Sequence, residues 1–126
     1  PDVMFPRILE RFRAGGTFSG VDFVAGWKKL AHLRAQYLKA TAGYDAVILP
    51  TAPILPPHAE RLMTDAEYYV TENLLALRNT RVGNLMGLAA LTLPTGVPSC
   101  GIILQTPPNT EARLLRLGAA AEAALA

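Results

Sequence analysis

An α/β fold, with a mixed sheet of about three strands flanked by helices, is what this sequence predicts, and three observations carry the prediction. Two short apolar runs, Ala46 to Leu49 and Ala90 to Leu93, each meet a Pro-Thr pair, Pro50-Thr51 and Pro94-Thr95. Proline has no N–H to give a ladder, so it ends a strand or sits at its margin. A third run, Gly101 to Gln105, follows the second after a short turn-rich connection, close enough for an antiparallel pair. Around these runs lie apolar residues at helical spacing, which predict helices at residues 21–42, 65–87 and 111–125.

Residues 5–12 read as a short amphipathic helix closed by Gly15-Gly16. Ser19 and Asp22 then form a capping-box pattern. Phe23, Trp27, Leu30, Leu33 and Tyr37 follow at spacings of three and four, with Lys28, Lys29, His32 and Lys39 opposite. Arg34 falls inside the apolar stripe, as a carboxylate's partner or as a stem that packs while its head reaches water. Gly43 suits a left-handed C-terminal cap. The four apolar residues at 46–49 suggest a strand covered on both faces. Pro50, Pro53, Pro56 and Pro57 force an extended surface excursion fit to wall a pocket. Thr64 and Glu67 form a second capping-box pattern, opening a helix that Gly83 and Gly87 interrupt toward its end. Asn109 or Thr110 caps the last helix, whose Leu114, Leu117, Ala121 and Leu125 line one face.

With 126 residues the chain has room for one domain, residues 1–126, with one core. Its apolar share is 51% and its charged share 17%, against roughly 25% charged in ordinary soluble proteins. Part of its surface is therefore expected to be covered by other polypeptide. No apolar run nears the ~20 residues that span a bilayer. The net charge is +2 and the basic residues are scattered, so neither nucleic acid nor a membrane is an expected partner. The single cysteine, Cys100, excludes an internal disulfide and fits a cytoplasmic setting. The opening Pro1-Asp2-Val3 reads as the interior of a longer polypeptide, although removal of an initiator Met or a leader gives the same start.

Arg78, Asn79, Arg81 and Asn84 are the substrate-pocket candidates, because guanidinium and amide groups supply directed donors for a carboxylate or an amide. The competing reading has Asn79 and Asn84 satisfying backbone groups at helix ends while the arginines face solvent. Thr51 and Thr95 likewise close turns. Cys100 with His32 or His58 would make a thiol and base, but no local motif supports that pairing, and an unpaired cysteine is more often structural. The two histidines stand far apart in sequence, so no metal site and no cofactor are expected.

The ordered set Tyr44-Asp-Ala-Val-Ile-Leu-Pro-Thr-Ala-Pro, Asn79-Thr80, Asn84 through Gly96, Gly101-Ile-Ile-Leu and Glu111 through Leu117 resembles the C-terminal part of amidase signature enzymes, over residues 16–122. One departure is Val97-Pro-Ser-Cys-Gly-Ile, where that family has Leu-Pro-Val-Gly-Leu after a longer turn. The resemblance implies an amide hydrolase acting on a small-molecule amide through a Ser-cisSer-Lys triad. Both serines of that triad come from a Gly/Ser-rich segment N-terminal to the matched region. This chain has only Ser19 and Ser99, neither in such a setting, so the resemblance assigns it no catalytic residue. It implies instead a C-terminal portion that completes a sheet and part of a pocket, inactive alone. The alternative is a non-catalytic module that associates with a partner chain, or with itself as a homo-oligomer, through exposed apolar surface.

Overall fold

The computed structural model describes residues 3–125. The chain divides into two compact units, residues 1–33 and residues 34–126. The boundary falls inside helix α2 (Gly20–Thr41).

The first unit holds α1 (Pro6–Gly15), which opens on a proline where a free N–H is not needed, and the first turns of α2. The Ser19–Asp22 box forms as the sequence predicts. The Asp22 N–H donates to Ser19 Oγ at 3.1 Å, and the Ser19 N–H donates to Asp22 Oδ2 at 3.0 Å. The Phe23 and Trp27 rings meet edge to face, with centroids 6.2 Å apart. Neither α1 nor α2 has a buried residue, so the apolar stripe expected to be a core face is not one here. A stripe of that length needs a sheet or an apolar helix over it, and α1 brings Arg7, Glu10, Arg11 and Arg13.

The second unit runs through β1 (Val47–Pro50), α3 (Ala59–Thr64), α4 (Ala66–Ala76), α5 (Arg78–Met86), β2 (Ala89–Pro94), β3 (Gly101–Thr106) and α6 (Glu111–Leu125). The α/β class and the three strands are those the sequence predicts, but the sheet is not mixed. Its order is β1-β3-β2, and both ladders are antiparallel, with Leu49 opposite Ile103 and Leu91 opposite Leu104. The hairpin at residues 95–100 lays β3 against β2, and the free edge of β3 then takes β1. Strands β1 and β2 therefore point the same way without pairing. Pro50 and Pro94 close the two outer strands, where a missing N–H is tolerated.

Several boundaries differ from expectation for identifiable reasons. Strand β1 is an outer strand, not one covered on both faces, and Ile48 is 61% exposed. The helix expected over 65–87 breaks at Leu77 into α4 and α5, and α3 precedes it. The cap of α4 is Asp65 rather than Thr64: Asp65 Oδ1 accepts from the Tyr68 N–H at 2.9 Å, while the Thr64 hydroxyl donates to the Glu60 carbonyl inside α3. Gly43 is not left-handed, because the Tyr44 N–H already closes the end of α2 on the Thr41 carbonyl at 3.1 Å. The left-handed cap lies instead at Gly87, φ 72°, which ends α5. Arg34 Nε donates to the Leu85 carbonyl at 2.7 Å, one of the last carbonyls of α5.

The core sits between the sheet and α6. Leu93, Leu104 and Leu114 are buried together, with Leu91, Ile102 and Ala121 packed against them. Full burial of one such side chain stabilises by about 1.5–3 kcal/mol. Gly118 lets α6 approach: a Cβ there would lie 2.2 Å from Leu91 Cδ2.

Candidate functional site

Cross-strand partners share a face, so the register divides the sheet cleanly. Leu91, Leu93, Ile102 and Leu104 face α6. Ile103, Gln105, Thr92 and Gly101 lie on the opposite face, continued by Thr51 just past β1. At the end of that second face where β3 begins, residues 50–55, Thr92 and residues 99–101 line an open cleft of about 460 Å³.

Each wall follows from local sequence. The prolines at 50 and 53 hold the chain in an extended path away from the sheet. The Thr51 N–H donates to the Gly101 carbonyl at 2.8 Å, which carries the ladder one residue beyond β1. The Thr51 and Thr92 hydroxyls meet at 3.3 Å across the cleft floor. Gly101 leaves them room, because a Cβ there would stand 3.2 Å from both Thr51 Oγ1 and Thr92 Cγ2. The third wall is the hairpin, folded by Gly96 at φ 76° and Ser99 at φ 61°, and closed by the Thr95 hydroxyl donating to the Cys100 carbonyl at 3.0 Å. Thr95 thus closes a turn, as one reading of the sequence has it, whereas Thr51 lines the cleft.

The four candidates picked from the sequence all lie on α5. Asn79 reaches the edge of the cleft: its Nδ2 donates to the Pro50 carbonyl at 2.7 Å. Arg78, Arg81 and Asn84 are exposed and do not line the cleft. Cys100 is exposed and borders the cleft, which has no histidine in its walls. Among the described residues no three His, Cys, Asp or Glu side chains gather as metal ligands do. Ser19 is engaged in its cap, donating to Asp22 Oδ2 at 2.6 Å, and that bond, with the Ser19 N–H, holds the Asp22 carboxyl below its usual range.

Two features of this face escape a reading of the sequence. Thr92 sits inside an apolar run and gives no sign of facing a cleft until the register is known. Gln105 is 1% exposed, and neither Nε2 nor Oε1 has a partner among the described residues. It lies beneath α5, where a Cβ on Gly83 would come 3.2 Å from its Nε2. Alternation alone would have marked Gln105 as either face equally.

Along 94% of its length the chain aligns with 2-amino-5-chloromuconic acid deaminase of Comamonas testosteroni, at 32% identity over 122 residues. It also aligns with the fatty acid amide hydrolases of Oryza sativa subsp. indica and subsp. japonica, each at 31% identity over 115 residues, 85% of this chain. The chain spans 26% of the deaminase and 18% of each hydrolase. No family profile matches it, and no solved structure does. Along nearly its whole length the chain is homologous to one segment of amidase signature proteins, the family its motifs resemble.

Proposed function

We propose that this chain is the C-terminal portion of an amidase, completing its sheet and one side of its substrate pocket while the serines and lysine that cleave the amide come from elsewhere in the enzyme. The observation that carries the reading is the cleft beside β1 and β2: the Pro50-Thr51 pair that marks the family likeness lines it, and Thr95 of the second pair closes the hairpin that forms its third wall. Within this reading Asn79 holds the cleft wall through the Pro50 carbonyl, and Arg78, Arg81 and Asn84 face the polypeptide or substrate that completes the pocket. No described helix is long and apolar enough to cross a membrane. The free thiol of Cys100 supports placing the enzyme in the cytoplasm.

The test is amide hydrolysis measured on the 126-residue chain alone and on the chain joined to an amidase Gly/Ser-rich catalytic segment. Activity in the joined protein only is expected. Activity in the chain alone that disappears in Cys100→Ala would overturn the reading in favour of a thiol enzyme.

The second reading, a module that associates with itself or a partner without catalysis, draws support from Phe18, Phe23 and Trp27, each more than half exposed in the first unit. Sedimentation of the chain distinguishes it: a stable oligomer that the catalytic segment does not disrupt favours the module.

A further inference from the structure

Resting on the amidase reading above, we infer that the cleft selects an uncharged substrate: one hydrogen-bonding atom seats on the Thr51–Thr92 hydroxyl pair, and an apolar arm lies along residues 52–55. Among the described residues no Lys, Arg, His, Asp or Glu is in the cleft walls, and Ala52, Pro53, Ile54 and Leu55 make one side wholly apolar in side chain. A carboxylate entering there would give up part of its water without meeting a cation, which is unfavourable.

The polar feature of the floor is the hydroxyl pair. Two hydroxyls 3.3 Å apart share one hydrogen bond, which leaves one O–H and several lone pairs to serve a ligand. That suits a neutral amide, which both donates and accepts. Gly101 keeps this spot open, and the Thr51 N–H bond to the Gly101 carbonyl fixes Thr51 relative to β3. The volume, about 460 Å³, falls within the range of small-molecule pockets.

The experiment is an NMR titration of the chain with pentanamide and with glutaramate, amides of equal length that end in a methyl and a carboxylate. Pentanamide is expected to shift the amides of Thr51, Thr92 and Gly101, and glutaramate to bind at least about tenfold more weakly. Thr92→Val, which keeps shape and strand preference, is expected to weaken pentanamide roughly two- to tenfold, the effect of one neutral hydrogen bond, and Thr92→Ser to restore it. Equal or tighter binding of glutaramate, indifference to Thr92→Val, or shifts confined to other residues would each overturn the inference. These readouts do not depend on turnover. A joined protein that hydrolyses no amide would overturn the amidase reading and leave the binding result standing, whereas a preference for glutaramate would do the reverse.

Discussion

On one face of the sheet Leu93 and Leu104 close against Leu114 of α6; on the other, Thr51 and Thr92 stand over an open cleft while the Gln105 side chain is buried without a partner among the described residues. Both faces are built by the same three strands, residue by alternate residue. The α6 face is apolar around Leu91, Leu93, Ile102 and Leu104, and its free energy comes from area removed from water. The opposite face buries Ile103 but also carries hydroxyls and an amide, groups that stabilise little unless something pairs with them. One face thus serves mainly the segment's own stability, whereas the other joins a buried Ile103 to polar groups left open at the cleft.

That contrast can be broken most forcefully at Leu114. It is 4% exposed at the centre of the α6 contact, so Leu114→Ala should destabilise by about 2–5 kcal/mol, read from urea denaturation. A loss below about 1 kcal/mol would mean that the α6 face is not the stabilising one.

Gly118→Ala probes the same face by overfilling it. Alanine gains about 1 kcal/mol of helix propensity, but its Cβ would meet Leu91 Cδ2 at 2.2 Å, and overpacking costs typically about 1–3 kcal/mol. A net loss of about 1 kcal/mol is expected, again by denaturation. A variant more stable than the parent would show that Leu91 yields freely.

Asn79→Ala sharpens the comparison from the other side. Removing the bond from Asn79 Nδ2 to the Pro50 carbonyl should cost about 1 kcal/mol or less. Its distinctive mark should be faster amide exchange in residues 51–55, with the α6 contact unchanged. Slowed or unaltered exchange there would remove Asn79 from the cleft wall.

The smallest effect is expected from pH. The Tyr68 N–H, then Arg61, holds the Asp65 carboxyl below its usual range, and Ser19 does the same for Asp22. A pKa lower in the folded than in the unfolded chain means stability that is present in full above the ordinary carboxylate value and is lost as pH falls through the lowered one. The first turns of α2 and α4 should therefore loosen only in acid, with the β3–α6 core retained. Because both carboxylates are exposed, the change should be local, visible in the Asp22 and Tyr68 amide resonances and not as global unfolding. Loosening near neutral pH would contradict these caps.

Much of the fold was legible in local chemistry. The Ser19 cap, the Pro-terminated strands, the hairpin and the apolar face of α6 each follow from residues close in sequence. What local chemistry does not reveal is partners distant in sequence: the Leu85 carbonyl accepts from Arg34, and the Pro50 carbonyl from Asn79. Of the site, the sequence pointed to the Pro50-Thr51 excursion and, among its four pocket candidates, to Asn79 at the cleft edge, but not to Thr92.

The three strands, the long second helix and the last helix, and the family they resemble, were thus readable from sequence, because turn chemistry, capping and periodicity act over a few residues; α3 and the break at Leu77 were not. Only the tertiary structure decided that β3 lies between β1 and β2, for strand order depends on which edges meet. That order alone brings Thr51 to Thr92, forty-one residues apart in sequence, and so makes the cleft.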